Sequence, residues 1–214
     1  MIARLGRAAS FYKIGLELYT SAGMDFVREL KREGLRIFLD LKLYDIPETV
    51  KRAVAQVTRA GADFLTVHGM KPVMAAASEG RAGAPVKLLA VTVLTSFDDH
   101  DLRSMGYALG LRELVELRVQ HAVETGMGGV VCSPLEVARV REIAGPAMTL
   151  VTPGVRSAGA ARGDQKRVAT PAEAIAAGAD YVVIGRQVTR AADPRAEMLK
   201  VLEEIENRSS RTPA

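Results

Sequence analysis

One cysteine, no tryptophan and five phenylalanines in 214 residues leave this chain few ways to hold itself together. Cys132 stands alone, so no disulfide can close within the chain and no cysteine-rich metal site can form. Such usage suits a reducing cytoplasm. With aromatics at 5%, the core must be built from Ala, Val, Leu and Ile. No apolar run approaches the roughly 20 residues that span a bilayer, and the first residues lack a signal-peptide pattern. Neither a membrane nor export is expected. Charge of one sign is not concentrated either. Lys and Arg (29) are interleaved with Asp and Glu (25), leaving +4. A nucleic-acid binder would cluster its basic residues, so no nucleic acid is expected, and the excess is at most a bias toward small anionic ligands.

What remains is ordinary globular composition, 48% hydrophobic and 25% charged, suited to one domain over residues 1–214 with a tail that frays after about 207. A junction repeats along it. Arg59-Ala-Gly-Ala-Asp-Phe-Leu-Thr-Val67 and Ala177-Gly-Ala-Asp-Tyr-Val-Val-Ile184 share one plan, and Glu124-Thr-Gly-Met-Gly-Gly-Val-Val131 is a looser copy. Each reads as a helix ending at a glycine C-cap and running straight into a buried strand. This marks βα units and a parallel sheet. Strands are predicted at Phe11–Leu16, Arg36–Leu41, Phe64–His68, Val86–Val93, Gly129–Cys132, Met148–Val151 and Tyr181–Ile184. Helices are predicted at Glu48–Ala60, Leu111–Glu124 and Pro134–Ile143, and loops at Thr95–Leu109 and Gly154–Thr170.

No Gly-x-Gly-x-x-Gly follows any strand, which argues against a doubly wound dinucleotide fold. The fold class expected is therefore α/β, a (β/α)8 TIM barrel, although such barrels usually need about 250 residues. The opening Met1-Ile-Ala-Arg-Leu-Gly-Arg7 reads as the end of a helix, so the first barrel strand is expected to be missing from the sequence.

In a barrel, function collects at the C-terminal ends of the strands. The predicted strand ends offer Lys13, then Asp40 and Lys42, then His68, Thr95-Ser96, Ser133, Thr152 to Arg156, and Gly185-Arg186. The densest cluster is Asp40-Leu-Lys-Leu-Tyr-Asp45. Residues two apart on a strand share a face, so Asp40 and Lys42 are expected to project together, with Leu39, Leu41 and Leu43 opposite. An opposite charge about 4 Å away contributes roughly 4 kcal/mol at an effective dielectric near 20, which favours a protonated Lys42 and a proton donor rather than a nucleophile. The same cluster also reads as a buried ion-pair network with no chemistry. Gly185-Arg186 and Gly154-Val-Arg156 fit a phosphate site, with glycine admitting backbone N–H groups and a guanidinium fork taking two oxygens; the other reading is a surface arginine. His68 reads as a hydrogen-bonded structural histidine, with an acid or base role as the rival. His100 and His121 read as solvent-facing, and Met24, Met70, Met74 and Met127 as packing or loop residues.

Asp40-x-Lys42-x-x-Asp45-Ile-Pro-x-Thr49 resembles the motif of the orotidine 5'-phosphate decarboxylases. So do Tyr12-Lys-Ile-Gly-Leu-Glu17, Thr66-Val-His68, Val93-Leu-Thr-Ser96, Val151-Thr-Pro-Gly-Val-Arg156, Gln165 and Gly185-Arg186, in the family's order from about residue 10 to 195. The resemblance implies a (β/α)8 barrel that converts orotidine 5'-phosphate (OMP) to UMP and CO2 without metal or organic cofactor. It implies Lys42 as the group that protonates C6, with Asp40 against the substrate carboxylate. Asp45, Ile46 and Thr49 would reach into the site of the other subunit of a homodimer. Lys13 would join the charged network and contact the ribose, Thr95 would hold the pyrimidine, and Arg156, Gln165, Gly185 and Arg186 would take the phosphate. Loop Gly154–Thr170 is expected to close over the substrate.

The family also carries an upstream strand ending in a ribose-binding aspartate, and nothing in Met1–Ser10 matches it. A chain lacking that strand is expected to be less stable and less active than one carrying it. Two other functions compete: a Mg²⁺-dependent sugar-phosphate decarboxylase or aldolase of the same superfamily, with Asp40 and Asp45 on the metal, and an inactive barrel that only binds nucleotides. A Schiff-base aldolase through Lys42 is disfavoured by the flanking carboxylates.

Overall fold

The structure is a computed structural model, and it describes residues 1–158 and 168–209. In chain order its helices and strands are α1 (Ile2–Leu5), β1 (Phe11–Gly15), α2 (Leu16–Arg32), β2 (Arg36–Leu43), α3 (Pro47–Arg59), β3 (Phe64–His68), α4 (Lys71–Arg81), β4 (Lys87–Val91), α5 (Asp99–Ser104), α6 (Leu111–Glu124), β5 (Gly129–Val131), α7 (Val137–Ala144), β6 (Thr149–Thr152), α8 (Pro171–Ala176), β7 (Tyr181–Val182), α9 (Arg186–Thr189) and α10 (Pro194–Ser209). Two compact units are distinguishable. One comprises Ser10–Thr92 and Leu114–Val131, the other Met1–Ala9, Val93–Glu113 and Cys132–Ala214.

In the first unit, β1 to β5 pair in sequence order and all in parallel, from Phe11↔Arg36 between β1 and β2 to Val91↔Val131 between β4 and β5. Its core is aliphatic, as the shortage of aromatics required: Ile14, Ile37, Leu39, Leu65, Val67, Leu88 and Leu89 are fully or almost fully buried. Phe11 and Phe38 set their rings edge-on to Phe64 at 4.9 and 5.9 Å, near the N-terminal ends of β1 to β3. In the second unit β6 and β7 pair in parallel, Val151↔Tyr181 and Thr152↔Val182.

The repeated junction has a physical meaning. Gly61 and Gly178 turn the chain with φ of 78° and 108°, values that favour glycine. The aspartate that follows then reaches back to the preceding strand. Asp63 Oδ2 accepts from the Ile37 N–H at 2.7 Å and from Lys31 Nζ at 2.7 Å. Asp180 Oδ2 accepts from the Leu150 N–H at 2.7 Å and from Arg141 Nη2 at 2.8 Å. The looser third copy has Gly128 at this position and lacks the device.

All seven strand positions agree with the sequence reading. The ends differ, most at β2, which continues to Leu43, and at β4 and β7, which stop at Val91 and Val182. Helix α3 starts on Pro47, whose fixed φ suits a first turn, and buries Val50, Val54 and Val57 at helical spacing. The segment Thr95–Leu109, expected to be a loop, contains α5. Asp98 accepts from the His100 and Asp101 N–H groups while Asp101 accepts from the Asp98 N–H, a capping box that closes the first turn. Helix α7 begins at Val137 rather than Pro134, because Ser133 to Glu136 forms a turn in which Glu136 Oε2 takes the Ser133 N–H at 2.9 Å. Helix α10 runs to Ser209, and the rest of the tail expected to fray lies outside the described residues. Among the described residues, no helix is long and apolar enough to cross a membrane.

Candidate active site

In the first unit, three side chains meet at the C-terminal ends of β1 and β2. Asp40 Oδ1 lies 2.8 Å from Lys42 Nζ, and Asp40 Oδ2 lies 3.1 Å from Lys13 Nζ. Gly15 stands opposite Asp40 in the β1–β2 ladder, and a Cβ there would come within 3.2 Å of Lys13 Nζ. The absence of a side chain at Gly15 therefore leaves the lysine a path to the carboxylate. Burial pushes the Asp40 carboxyl upward, but the Lys13 and then the Lys42 charge, with a hydrogen bond from each, outweigh it and hold the group below its usual range.

Thr66 on β3 completes the cluster. Its Oγ1 lies 3.0 Å from Asp40 Oδ1 and accepts from the Lys42 backbone N–H at 2.9 Å. Lys42 has φ 49°, left-handed for a residue with a side chain. Such a conformation costs on the order of 1–3 kcal/mol and is typical of functional sites. It falls in a bulge: Leu39 faces Leu65 and Leu43 faces Val67, so β2 advances four residues while β3 advances two. The expected alternation thus holds only in part. Asp40 and Lys42 do meet and Leu39 is buried, but Leu41 and Leu43 are half-buried.

Asp45 does not reach Lys42 of its own chain. Its Oδ1 accepts from the Ile46 N–H at 2.7 Å, and the ammonium of Lys42 pairs with Asp40 instead. Asp45, Ile46 and Thr49 are all exposed, Ile46 at 67% and its neighbour Tyr44 at 64%.

His68, at the end of β3, is not the hydrogen-bonded histidine expected. Its Nδ1 is buried with no hydrogen-bond partner among the described residues, and its ring packs on Tyr44 at 5.0 Å between centroids. Burial, reinforced by the Arg118 charge, lowers its pKa, so it is neutral at pH 7. Arg118, buried on α6, donates to the Thr92 carbonyl. Sequence reading passed over it, since an arginine in an amphipathic helix reads as solvated. His100 is exposed as expected, and His121 is half-buried.

In the second unit, Arg156 follows β6 and is buried, with Nη1 donating to the Val155 carbonyl at 2.6 Å. Its backbone N–H donates to the Ala169 carbonyl at 3.0 Å, joining the two ends of the 154–170 segment. Burial lowers the pKa of its guanidinium, and the nearby Arg186 charge lowers it further. An anion bound beside both guanidinium groups would offset their charges. A Cβ on Gly185 would meet open space, so that backbone is accessible. Gln187, which no motif singled out, ties the region together: its Oε1 takes the Ser157 N–H at 3.1 Å and its Nε2 donates to Glu197 at 2.9 Å. Thr95 is half-buried beyond β4, and Gln165 lies outside the described residues.

Parallel βα units with a lysine–aspartate network at their strand ends define a barrel-type enzyme. The sequence model described as the orotidine 5'-phosphate decarboxylase / HUMPS family matches residues 1–201, and the chain belongs to that family. It is 55% identical over 205 residues to orotidine 5'-phosphate decarboxylase of Rhodopseudomonas palustris strain BisA53, covering 96% of this chain and 87% of that protein. It is 53% identical, again over 96% of its length, to the Bradyrhizobium sp. strain BTAi1 enzyme of the same name, of which it covers 84%. The crystal structure of orotidine 5'-phosphate decarboxylase from Lactobacillus acidophilus aligns with a TM-score of 0.83 at 37% identity, over 95% of this chain and 91% of that one. The α/β class and TIM-barrel fold expected from the sequence are those of this family.

Proposed function

We propose that this chain decarboxylates orotidine 5'-phosphate to UMP and CO2 in pyrimidine nucleotide biosynthesis, with Lys42 as the proton donor. The observation that carries the reading is the ammonium of Lys42 fixed 2.8 Å from a mostly buried carboxylate whose other oxygen is held by Lys13. When the bond from C6 to the carboxylate breaks, its electron pair stays at C6. An ammonium already in place stabilises that charge and hands over a proton, and solvent then reprotonates the amine. Asp40 sits against the departing carboxylate and keeps Lys42 aimed.

The remaining roles follow the same reading. Lys13 contacts the ribose and Thr95 the pyrimidine, while Arg156, Gln165, Gly185 and Arg186 take the phosphate. The adjacent charges of Arg156 and Arg186 support this, because a phosphate dianion offsets both. Closure of the 154–170 loop on phosphate binding belongs to the same reading, with residues 159–167 outside the described residues. Asp45, Ile46 and Thr49 complete the site of a neighbouring subunit in a homodimer, which accounts for the exposure of Ile46 and Tyr44. The protein acts as a single domain in the cytoplasm, in keeping with its lone buried cysteine.

Neither metal nor organic cofactor enters this scheme. A Mg²⁺-dependent decarboxylase or aldolase would place Asp40 and Asp45 together on the ion, whereas here Asp40 is taken by two ammonium groups and Asp45 by the Ile46 N–H. The test is the absorbance change of OMP with protein treated with EDTA. Full turnover to UMP is expected. Activity that disappears with the chelator and returns with Mg²⁺ selects the metal-dependent enzyme, and UMP binding without turnover selects the inactive barrel.

A further inference from the structure

Thr66 has no part in the scheme so far, and its surroundings give it one. It is fully buried in the middle of β3. Its hydroxyl accepts from the Lys42 N–H at 2.9 Å, and its oxygen lies 3.0 Å from Asp40 Oδ1. An ionised carboxylate only accepts, so the single hydroxyl proton must point at Asp40. The same Asp40 oxygen takes Lys42 Nζ at 2.8 Å. One hydroxyl therefore binds the backbone of the lysine and the carboxylate that orients its ammonium.

The bulge explains why a hydroxyl is needed. Between Leu39↔Leu65 and Leu43↔Val67, β2 contains residues with no counterpart on β3. A bulged residue loses its place in the ladder and its N–H needs another acceptor. For Lys42 that acceptor is Thr66 Oγ1. With φ at 49°, Lys42 sits in a conformation its own chain does not favour, so an outside contact has to hold it. The direction of its Cα–Cβ bond, and with it the reach of Nζ, depends on that contact.

We infer that Thr66 is a positioning residue for proton transfer. It fixes the left-handed backbone of Lys42 and the carboxylate of Asp40 in one geometry, so that the ammonium is aimed before substrate arrives. This rests on the decarboxylase reading above. Thr66→Val keeps the shape of the side chain and removes both hydrogen bonds, and Thr66→Ser restores the hydroxyl alone. Misplacement of a reacting group by a fraction of an ångström lowers turnover while leaving remote binding contacts intact.

The experiment measures OMP turnover, the dissociation constant of UMP and hydrogen exchange at the Lys42 amide, in wild type, Thr66→Val and Thr66→Ser. In Thr66→Val, kcat is expected to fall at least about tenfold, with KM and the UMP constant moving less than about threefold. The Lys42 amide should exchange at least about tenfold faster. Thr66→Ser should recover both. If the valine variant does not fold, Thr66→Cys, with its weaker donor and acceptor, is measured in its place. Wild-type kcat in Thr66→Val, a loss confined to KM, or unchanged Lys42 exchange overturns the inference. Wild-type protein that leaves OMP intact overturns the decarboxylase reading instead, and the exchange rates still decide whether Thr66 holds Lys42.

Discussion

Asp40 is the fixed point of the charged cluster, because two ammonium groups and a hydroxyl converge on its two oxygens. Its folded pKa lies below the ordinary value of about 3.9. A carboxyl with a depressed folded pKa stabilises the fold above its unfolded pKa and loses that contribution as pH falls through the folded value. The stability difference between wild type and Asp40→Asn, measured by denaturant unfolding, should therefore stay constant from pH 7 down to about pH 4 and shrink below it. A difference that shrinks between pH 7 and 5 would mean that Asp40 is not held by the lysines. Asp40 and Lys42 were legible in the sequence because charges interrupt an apolar run there. Thr66 and Arg118 were not, since threonine is an ordinary strand residue and an arginine in a helix is ordinarily solvated.

Elements in this protein are joined closely where glycine permits it. Gly80 on α4 packs against α3, and a Cβ there would fall 2.3 Å from the Lys51 carbonyl oxygen. Backbone cannot yield as a flexible side chain can, so Gly80→Ala has to push α4 away from α3. A loss of about 1–3 kcal/mol is expected, seen as a melting temperature several degrees lower; a variant as stable as wild type would show that the two helices are free to separate. The repeated Ala-Gly-Ala-Asp junctions made the strands legible, because the glycine turn and the buried run both leave a pattern. Helix α5 was missed because it is short and polar, with only the spacing of Asp98 and Asp101 to announce it. The bulge in β2 left no signal in the sequence, since it arises from the register against β3.

At the scale of the whole molecule, each compact unit is assembled from stretches distant in sequence, with residues 93–113 and 114–131 passing from one to the other. The fold class was legible because the βα rhythm runs from β1 to β7. Assembly was not, for no composition or spacing encodes a dimer. The central claim is that Lys42 donates the proton in a site completed by Asp45 of a second copy. OMP turnover by Lys42→Ala and Asp45→Ala, each alone and then mixed with time to exchange subunits, tests it most directly. Each variant alone should be inactive or nearly so. The mixture should recover about a quarter of wild-type activity, since half of the randomly paired dimers carry one intact site. Turnover by Lys42→Ala alone, or a mixture as inactive as its parents, would contradict the account.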